Sequence, residues 1–343
     1  MLEFGSDYHR CDAPFHGSMT LDAFFPSRQL YACGRMALIE LIRHNDWKRL
    51  WLPAYFCHEI AEIWRQHISV CFYDDFPLEE HEETTIQALP FREGDALLRM
   101  NYFGLRTKRS NTHIPVPVIE DHSNALTSDW ALHSDADWCI ASLRKTLPLA
   151  FGGMLWSPKE HDLPEAPQAN NLCNGLANDR YRAMTMKADY LMRGGNKEAF
   201  RTIYIDTEEG LNHLTGTTAI DPESYKILHQ LDIQKWNDQR CRNWTAACNH
   251  LKHIRIIGSG QKQPSPFSII ILLPSQEERD ILKSYLLQHN IFPATLWNIP
   301  KDIPFGRCID FGTRMLSLHC DARYTEQDIQ TMCEIINRYD SNY

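Results

Sequence analysis

Val118-Ile119-Glu120-Asp121-His122-Ser123-Asn124 is the stretch on which the reading of this chain turns. A short apolar run, led in by Val116-Pro117, ends in a carboxylate and three more polar side chains. Strand-length apolar segments with polar ends belong to open α/β sheets, whose ligands bind outside the carboxyl ends of the strands. Alone, an acidic strand end is more often a cap or a turn than a site. The next segment adds to it. Trp138-Cys139-Ile140-Ala141 runs into Ser142-Leu143-Arg144-Lys145-Thr146, which sets a hydroxyl, a guanidinium and an amine within one short turn. A single loop lysine is ordinarily a solvated charge, so the conjunction of the two strand ends is what carries weight.

Working outward, Cys33-Gly34-Arg35 opens a stretch in which Met36, Ile39 and Ile42, with Leu38 and Leu41, recur at helical spacing. Strand-length apolar segments follow at 50–53, 69–73, 96–102, 116–120, 138–142 and 153–156, with a helical pattern at 57–66 between the first two. Helix and strand alternating in this way predict a mostly parallel α/β sheet flanked by helices. Residues 176–209 and 222–252 read as long helical stretches. Beyond them come a strand at 267–273, a helix at 276–288, a short strand at 291–293, a strand at 315–319 and a helix at 325–339. The expected organisation is a large domain over residues 1–240, including the central helical region, and a small C-terminal α+β domain over residues 241–343.

Length and composition set the outer bounds. At 343 residues the chain is long enough for two domains of roughly 100–200 residues. With 43% apolar and 23% charged residues it is globular in composition. Its 35 Lys and Arg against 44 Asp and Glu give a net charge of −9, which argues against a sequence-independent nucleic-acid binder. The strongest apolar run, 267–273, falls far short of the ~20 residues that cross a bilayer. The first sixteen residues carry charges where a secretory signal needs an apolar core. Eleven scattered cysteines with no C-x-x-C pair suit a reducing compartment, and a cytoplasmic protein is expected. Cys241, Cys248, His250 and His253 match no zinc spacing. Glu79, Glu80, Glu82 and Glu83, grouped around His81, are expected to form a solvated loop.

The three chemistry-bearing elements fit one cofactor. A glycine turn entering a helix presents N–H groups and a positive dipole end to a phosphate. A carboxylate beside a pyridine nitrogen keeps that nitrogen protonated, and an amine can form a Schiff base with an aldehyde. Pyridoxal 5'-phosphate (PLP) needs that combination, and Lys145 and Asp121 suit the amine and carboxylate roles. Other readings stay open beside these. Arg144 could meet the cofactor phosphate, an incoming carboxylate or a surface acid. Tyr102 and Phe103 could be core or cofactor wall, and His122 reads as a satisfied strand-end histidine.

The ordered set resembles the DegT/DnrJ/EryC1/StrS family of PLP-dependent aminotransferases. It consists of Cys33-Gly34-Arg35-Met36-Ala37-Leu38, Leu52-Pro53-Ala54-Tyr55, 118–126, Ser142-Leu143-Arg144-Lys145 with Gly152-Gly153, residues 286–291 and the closing 316–319 with 325–329. The resemblance implies the fold-type-I PLP-dependent transferase fold of the aspartate aminotransferase superfamily. It makes Lys145 the Schiff-base lysine and Asp121 the partner of the pyridine nitrogen. Ser142 and the backbone around Gly34 and Arg35 become phosphate-binding positions, and Arg144 is counted with the cofactor-binding residues. Tyr55 or Phe56 is the stacking ring, and Asn124 the amide near the phenolic oxygen, where the family usually has glutamine or histidine. Asn290 replaces the family's glycine before Ile291, and asparagine tolerates the left-handed conformation. The implied activity is ping-pong transamination. An amino donor such as glutamate or glutamine gives its nitrogen to a carbonyl acceptor, a keto sugar nucleotide of surface-polysaccharide or related biosynthesis. A homodimer is implied as well, with 184–195 near the partner's cofactor. The short Ser142-to-Lys145 interval leaves room for a fold-type-I lyase or an amino-acid-directed aminotransferase, and a non-catalytic relative that kept the fold is a further alternative.

Overall fold

The computed structural model describes residues 2–261 and 265–340. In chain order its strands are β1 (Phe4–Gly5), β2 (Gln29–Tyr31), β3 (Arg49–Pro53), β4 (Ser69–Tyr73), β5 (Asp95–Met100), β6 (Val118–Asp121), β7 (Trp138–Ser142), β8 (Gly153–Trp156), β9 (Arg255–Ile256), β10 (Ile269–Leu272), β11 (Ile291–Phe292) and β12 (Met315–Leu318). Seven of them form one sheet in the order β2-β8-β7-β6-β5-β3-β4. Pairing is parallel from β4 through β7, and β8 runs antiparallel to both of its neighbours. The expected mostly parallel sheet is therefore what forms. Its middle strands are buried along their whole length, as strands covered by helices on both faces must be.

The helix Gly34–Asn45 packs on β7 and β8 and presents Met36, Ala37, Leu38, Leu41 and Ile42 to the core. Gly153 makes that approach possible, because a Cβ there would overlap the Cys33 carbonyl. The long helical stretch expected over 176–209 is two helices, Asn171–Arg193 and Lys197–His213. Gly194 and Gly195 separate them at φ 75° and 132°, conformations that side chains rarely adopt.

A second sheet, antiparallel in the order β12-β10-β9, carries the C-terminal part, with helices Gln276–Gln288 and Glu326–Asp340. The helix Ile233–His250 packs on the last helix, and Asn243 Nδ2 donates to the carbonyls of Cys320, Asp321 and Tyr324 at 2.8–3.1 Å. The amino terminus joins this part, since β1 pairs with β11 and Gly5 N donates to the Tyr324 hydroxyl at 2.8 Å. Asn290, just before β11, takes φ 59°.

The acidic stretch departs from its expectation. Glu82 opens the helix Glu82–Gln87 and is fully buried, with the Arg99 guanidinium donating to both of its oxygens at 3.0 and 3.1 Å. Glu79 is also buried, and its carboxylate accepts from His81 N at 2.7 Å and pairs with Arg307 at 2.8 Å. Arg99 lies inside β5 at the middle of the sheet, and a buried guanidinium demands a carboxylate nearby. The solvated-loop reading weighed the acids without that partner.

Candidate functional site

Side chains alternate across a strand, so consecutive β6 residues serve opposite faces. Glu120 and His122 belong to a buried network: His122 Nε2 lies 3.0 Å from Glu120 Oε2, Asn101 Nδ2 lies 3.2 Å from His122 Nδ1, and Ser134 Oγ donates to Glu120 at 2.6 Å. Glu120, His122 and Cys139 bring ligand-type atoms within 4.8 Å of one another, yet the carboxylate and imidazole are already taken up by these bonds. His122 is thus the satisfied histidine its position suggested. Asp121 turns the other way, buried at the edge of a pocket, and accepts from Ser123 N at 2.8 Å. The Ser123 hydroxyl in turn accepts from Ser142 N at 2.8 Å, which ties the ends of β6 and β7 together.

Lys145 follows β7 in a single 3-10 turn, Leu143–Lys145. Leu143 N donates to Gly152 O at 2.9 Å, and the Thr146 carbonyl accepts from Trp236 Nε1 at 2.8 Å and from Arg240. The turn is thereby fixed at both ends, while the lysine side chain itself stays exposed and has no ion-pair partner among the described residues. Its Nζ lies 5.8 Å from the centre of the Trp297 ring.

One pocket collects most of the expected residues. Gly34, Arg35, Phe56, Asp121, Ser142, Arg144 and Lys145 all line it, together with Cys33, Cys57, Ser123 and Trp297. Gly34 begins its helix without any side-chain cap from Cys33, and a Cβ at Gly34 would stand 3.2 Å from Ser142 N. The helix start is therefore pressed against the end of β7. The Arg35 guanidinium is engaged by Asn212 Oδ1 and by the carbonyl of Leu211, another lining residue, each at 2.6 Å. Arg144 is held by Glu208 in a two-pronged pair, both bonds 2.7 Å. Burial alone would lift the Glu208 carboxyl, but the Arg144 guanidinium outweighs it and holds the group below the usual carboxylate range. At Cys57 burial pushes the thiol up, with nearby Lys145 opposing.

Tyr55 and Asn124 stand outside the lining. Tyr55 is fully buried, donates its hydroxyl to the Leu296 carbonyl, and meets Tyr102 and Phe311 edge-on at 5.7 and 5.1 Å. Of the two aromatic alternatives, Phe56 is the one that reaches the pocket. Asn124 is buried as well, and its Oδ1 accepts from Phe103 N at 3.3 Å. Tyr102 and Phe103 are core, the Tyr102 hydroxyl donating to Tyr55 O at 2.7 Å. Arg314 pairs with Asp310 at 3.2 Å, a structural salt bridge. Sequence reasoning missed Trp297, which stacks on Phe103 at 6.3 Å and leans on Phe56 at 6.1 Å. Its one signal was a large aromatic residue in an otherwise irregular stretch.

No protein-family model matches the sequence, and no curated protein matches it either. Solved structures do match. The candidate sugar aminotransferase Spr1654 of Streptococcus pneumoniae, in its apo form, is similar over all of this chain and 98% of its own, at 11% identity and TM-score 0.66. DesI, solved in the presence of its TDP-sugar product, is similar over 92% of this chain and 81% of its own, at 12% identity and TM-score 0.62. A DegT/DnrJ/EryC1/StrS aminotransferase of Brucella abortus is similar over 93% and 88%, at 14% identity and TM-score 0.59. The chain accordingly has the fold that these aminotransferases share, the fold-type-I arrangement expected for it.

Proposed function

We propose that the chain is a PLP-dependent aminotransferase acting on a keto sugar carried by a nucleotide. The observation that carries this reading is the single pocket where the Lys145 amine, the Asp121 carboxylate and the uncapped helix start at Gly34 meet. Those groups fit PLP in kind: a cationic amine for an aldehyde, an acid for a pyridine nitrogen and a helix N-terminus for a phosphate. When bound, the cofactor supplies an electron sink for a substrate's α-carbon. Lys145 would hold the cofactor through its amine and, when free, would carry a proton to and from the substrate's α-carbon. Asp121, fixed by Ser123 N, keeps the ring nitrogen protonated. Ser142 and the backbone at Gly34 and Arg35 hold the phosphate. Phe56 and Trp297, which line the same pocket, would wall the ring. Asn124 acts one layer back, by fixing the Phe103 backbone.

Support for the sugar acceptor comes from the neighbours, one of which was solved with a TDP-sugar product. Glutamate or glutamine serves as amino donor in this reading, and the pathway is surface-polysaccharide or related biosynthesis. A homodimer is part of the proposal, because Lys145 is exposed in the single chain and a partner would cover it. We take the protein to work in the cytoplasm; among the described residues no helix is long and apolar enough to cross a membrane. The division near residue 240 into a large cofactor-binding part and a small closing part is proposed with β1 counted in the small part, on account of its pairing with β11.

The test is chemical trapping. Protein incubated with PLP and reduced with borohydride should carry the cofactor on the Lys145 peptide, Lys145→Ala should carry none, and glutamate should convert the bound cofactor to its pyridoxamine form. Labelling that is unchanged in Lys145→Ala would defeat the assignment.

A further inference from the structure

Lys145 borders a second cavity, which Asp7, Arg144, Arg180, Tyr204 and His319 also line. The guanidiniums of two lining residues, Arg144 and Arg180, share one carboxylate, that of Glu208. Arg144 grips Glu208 through both Nη atoms at 2.7 Å, and Arg180 Nη1 reaches the same carboxylate at 3.3 Å while its Nη2 donates to Asp7 Oδ1 at 2.6 Å. Arg144 Nε is buried with no partner, so the guanidinium has donor capacity left. Arg180 is depressed by burial first and by the like charge of Arg144 second, which reflects how close the two cations stand.

We propose that Arg144 and Arg180 form the subsite for a carboxylate of the amino substrate, and that Glu208 occupies it in the resting protein as an internal counter-ion. The inference rests on the aminotransferase reading, which supplies an amino-acid substrate. Its geometry is independent of that reading, because the chain already displays the recognition. A planar carboxylate sits on the Arg144 fork in the two-pronged arrangement that arginine offers carboxylates. Arg144 adjoins Lys145 in sequence, with their Cα atoms ~3.8 Å apart. Both residues line this cavity, so a carboxylate taken up by Arg144 would enter a space that the lysine also borders. Glu208 is partly exposed and lies on a different element, the helix Lys197–His213, so it can withdraw without disturbing the Lys145 turn.

A resident counter-ion lowers apparent affinity, since the site is competent only in the fraction of molecules where Glu208 has left. Removing its charge should tighten binding, which damaged folding could not do. The probe is glutarate, a dicarboxylate that cannot be transaminated, titrated by calorimetry into the full-length protein with and without PLP. Glu208→Gln is expected to lower the glutarate Kd about five- to tenfold, and Arg144→Gln placed on that background to raise it again by at least tenfold. Unchanged affinity in Glu208→Gln overturns the proposal, as does full retention of affinity in Glu208→Gln/Arg144→Gln. A Glu208→Gln effect seen with thymidine diphosphate and not with glutarate overturns it too, because the subsite would then serve a nucleotide phosphate. Tightening in the protein without PLP, combined with failure to trap PLP on Lys145, would uphold the subsite and sink the aminotransferase reading.

Discussion

Trp297 and Lys145 lie far apart in the chain, yet the Trp297 ring centre is 5.8 Å from the Lys145 amine. Trp297 comes from the loop after β11 and is the side chain from the C-terminal part that closes the candidate pocket. Each of its ring pairs contributes roughly 1 kcal/mol beyond buried area. Trp297→Ala should therefore weaken PLP binding on the order of tenfold, read by titrating the visible absorbance of lysine-linked cofactor. Trp297→Phe should restore most of the loss. Equal affinities in wild type and Trp297→Ala would remove the residue from the site.

Asp121→Asn separates charge from shape. The amide oxygen can still accept from Ser123 N, so the β6 end should keep its geometry and the melting temperature should hold. What disappears is the negative charge, which would shift a neighbouring nitrogen's pKa by about 1–3 units. Transamination with glutamate should fall on the order of 10- to 1000-fold while cofactor trapping on Lys145 persists. Full activity in Asp121→Asn would show that this carboxylate does not govern the pyridine nitrogen.

Legibility in the sequence followed the physics of each element. β7, β8 and the helix Gln276–Gln288 fall where the apolar pattern put them, because buried strands are continuous apolar runs and this helix has a serine cap. β4, at the sheet's edge, is legible from its apolar Val70-Cys71-Phe72-Tyr73 although only Tyr73 is buried. β2 is three residues long and exists through its pairing with β8, so its own Gln29-Leu30-Tyr31 carries no period to read. The helix Gly306–Arg314 begins and nearly ends on glycine, and it forms because Cys308 and Phe311 bury themselves against the rest of the fold. Reading strand ends singled out Asp121, Ser142 and Lys145, which line one pocket, since the end of a parallel strand points to the ligand edge by topology. It could not choose between Tyr55 and Phe56, which neighbour each other on an irregular segment, and it had no access to Trp297 or Glu208, whose places depend on long-range packing.

Glu82 supplies a prediction about stability alone. It is fully buried, paired with Arg99, and 3.6 Å from Arg106 and 3.8 Å from Arg109. Burial would raise its carboxyl, but Arg99 and Arg106 outweigh that and hold it below the usual range. Glu82→Ala leaves buried cations uncompensated and should cost about 3–5 kcal/mol in urea unfolding. Replacing both members, Glu82→Leu with Arg99→Met, should recover at least half of that loss. A cost under about 1 kcal/mol in Glu82→Ala would mean that water reaches the cluster.

His9 is one contributor to the acid side of the stability curve. Burial, then the charges of Arg323 and Lys187, lower its imidazole from the ordinary 6.5 to about 4, with Asp321 opposing, and its Nδ1 is buried without a partner. In the unfolded chain the ring takes up its proton near pH 6.5, whereas in the folded chain it does so only near 4. The folded state thus binds fewer protons across that window, so His9's contribution is intact above pH 6.5 and is lost as the pH falls towards 4. At about 1.4 kcal/mol per pKa unit the loss approaches roughly 3 kcal/mol. His9→Gln, which cannot titrate, should lose roughly 2 kcal/mol less than wild type between pH 7 and pH 4.5 in urea unfolding. Parallel pH curves for the two proteins would show that His9 is already charged in the fold.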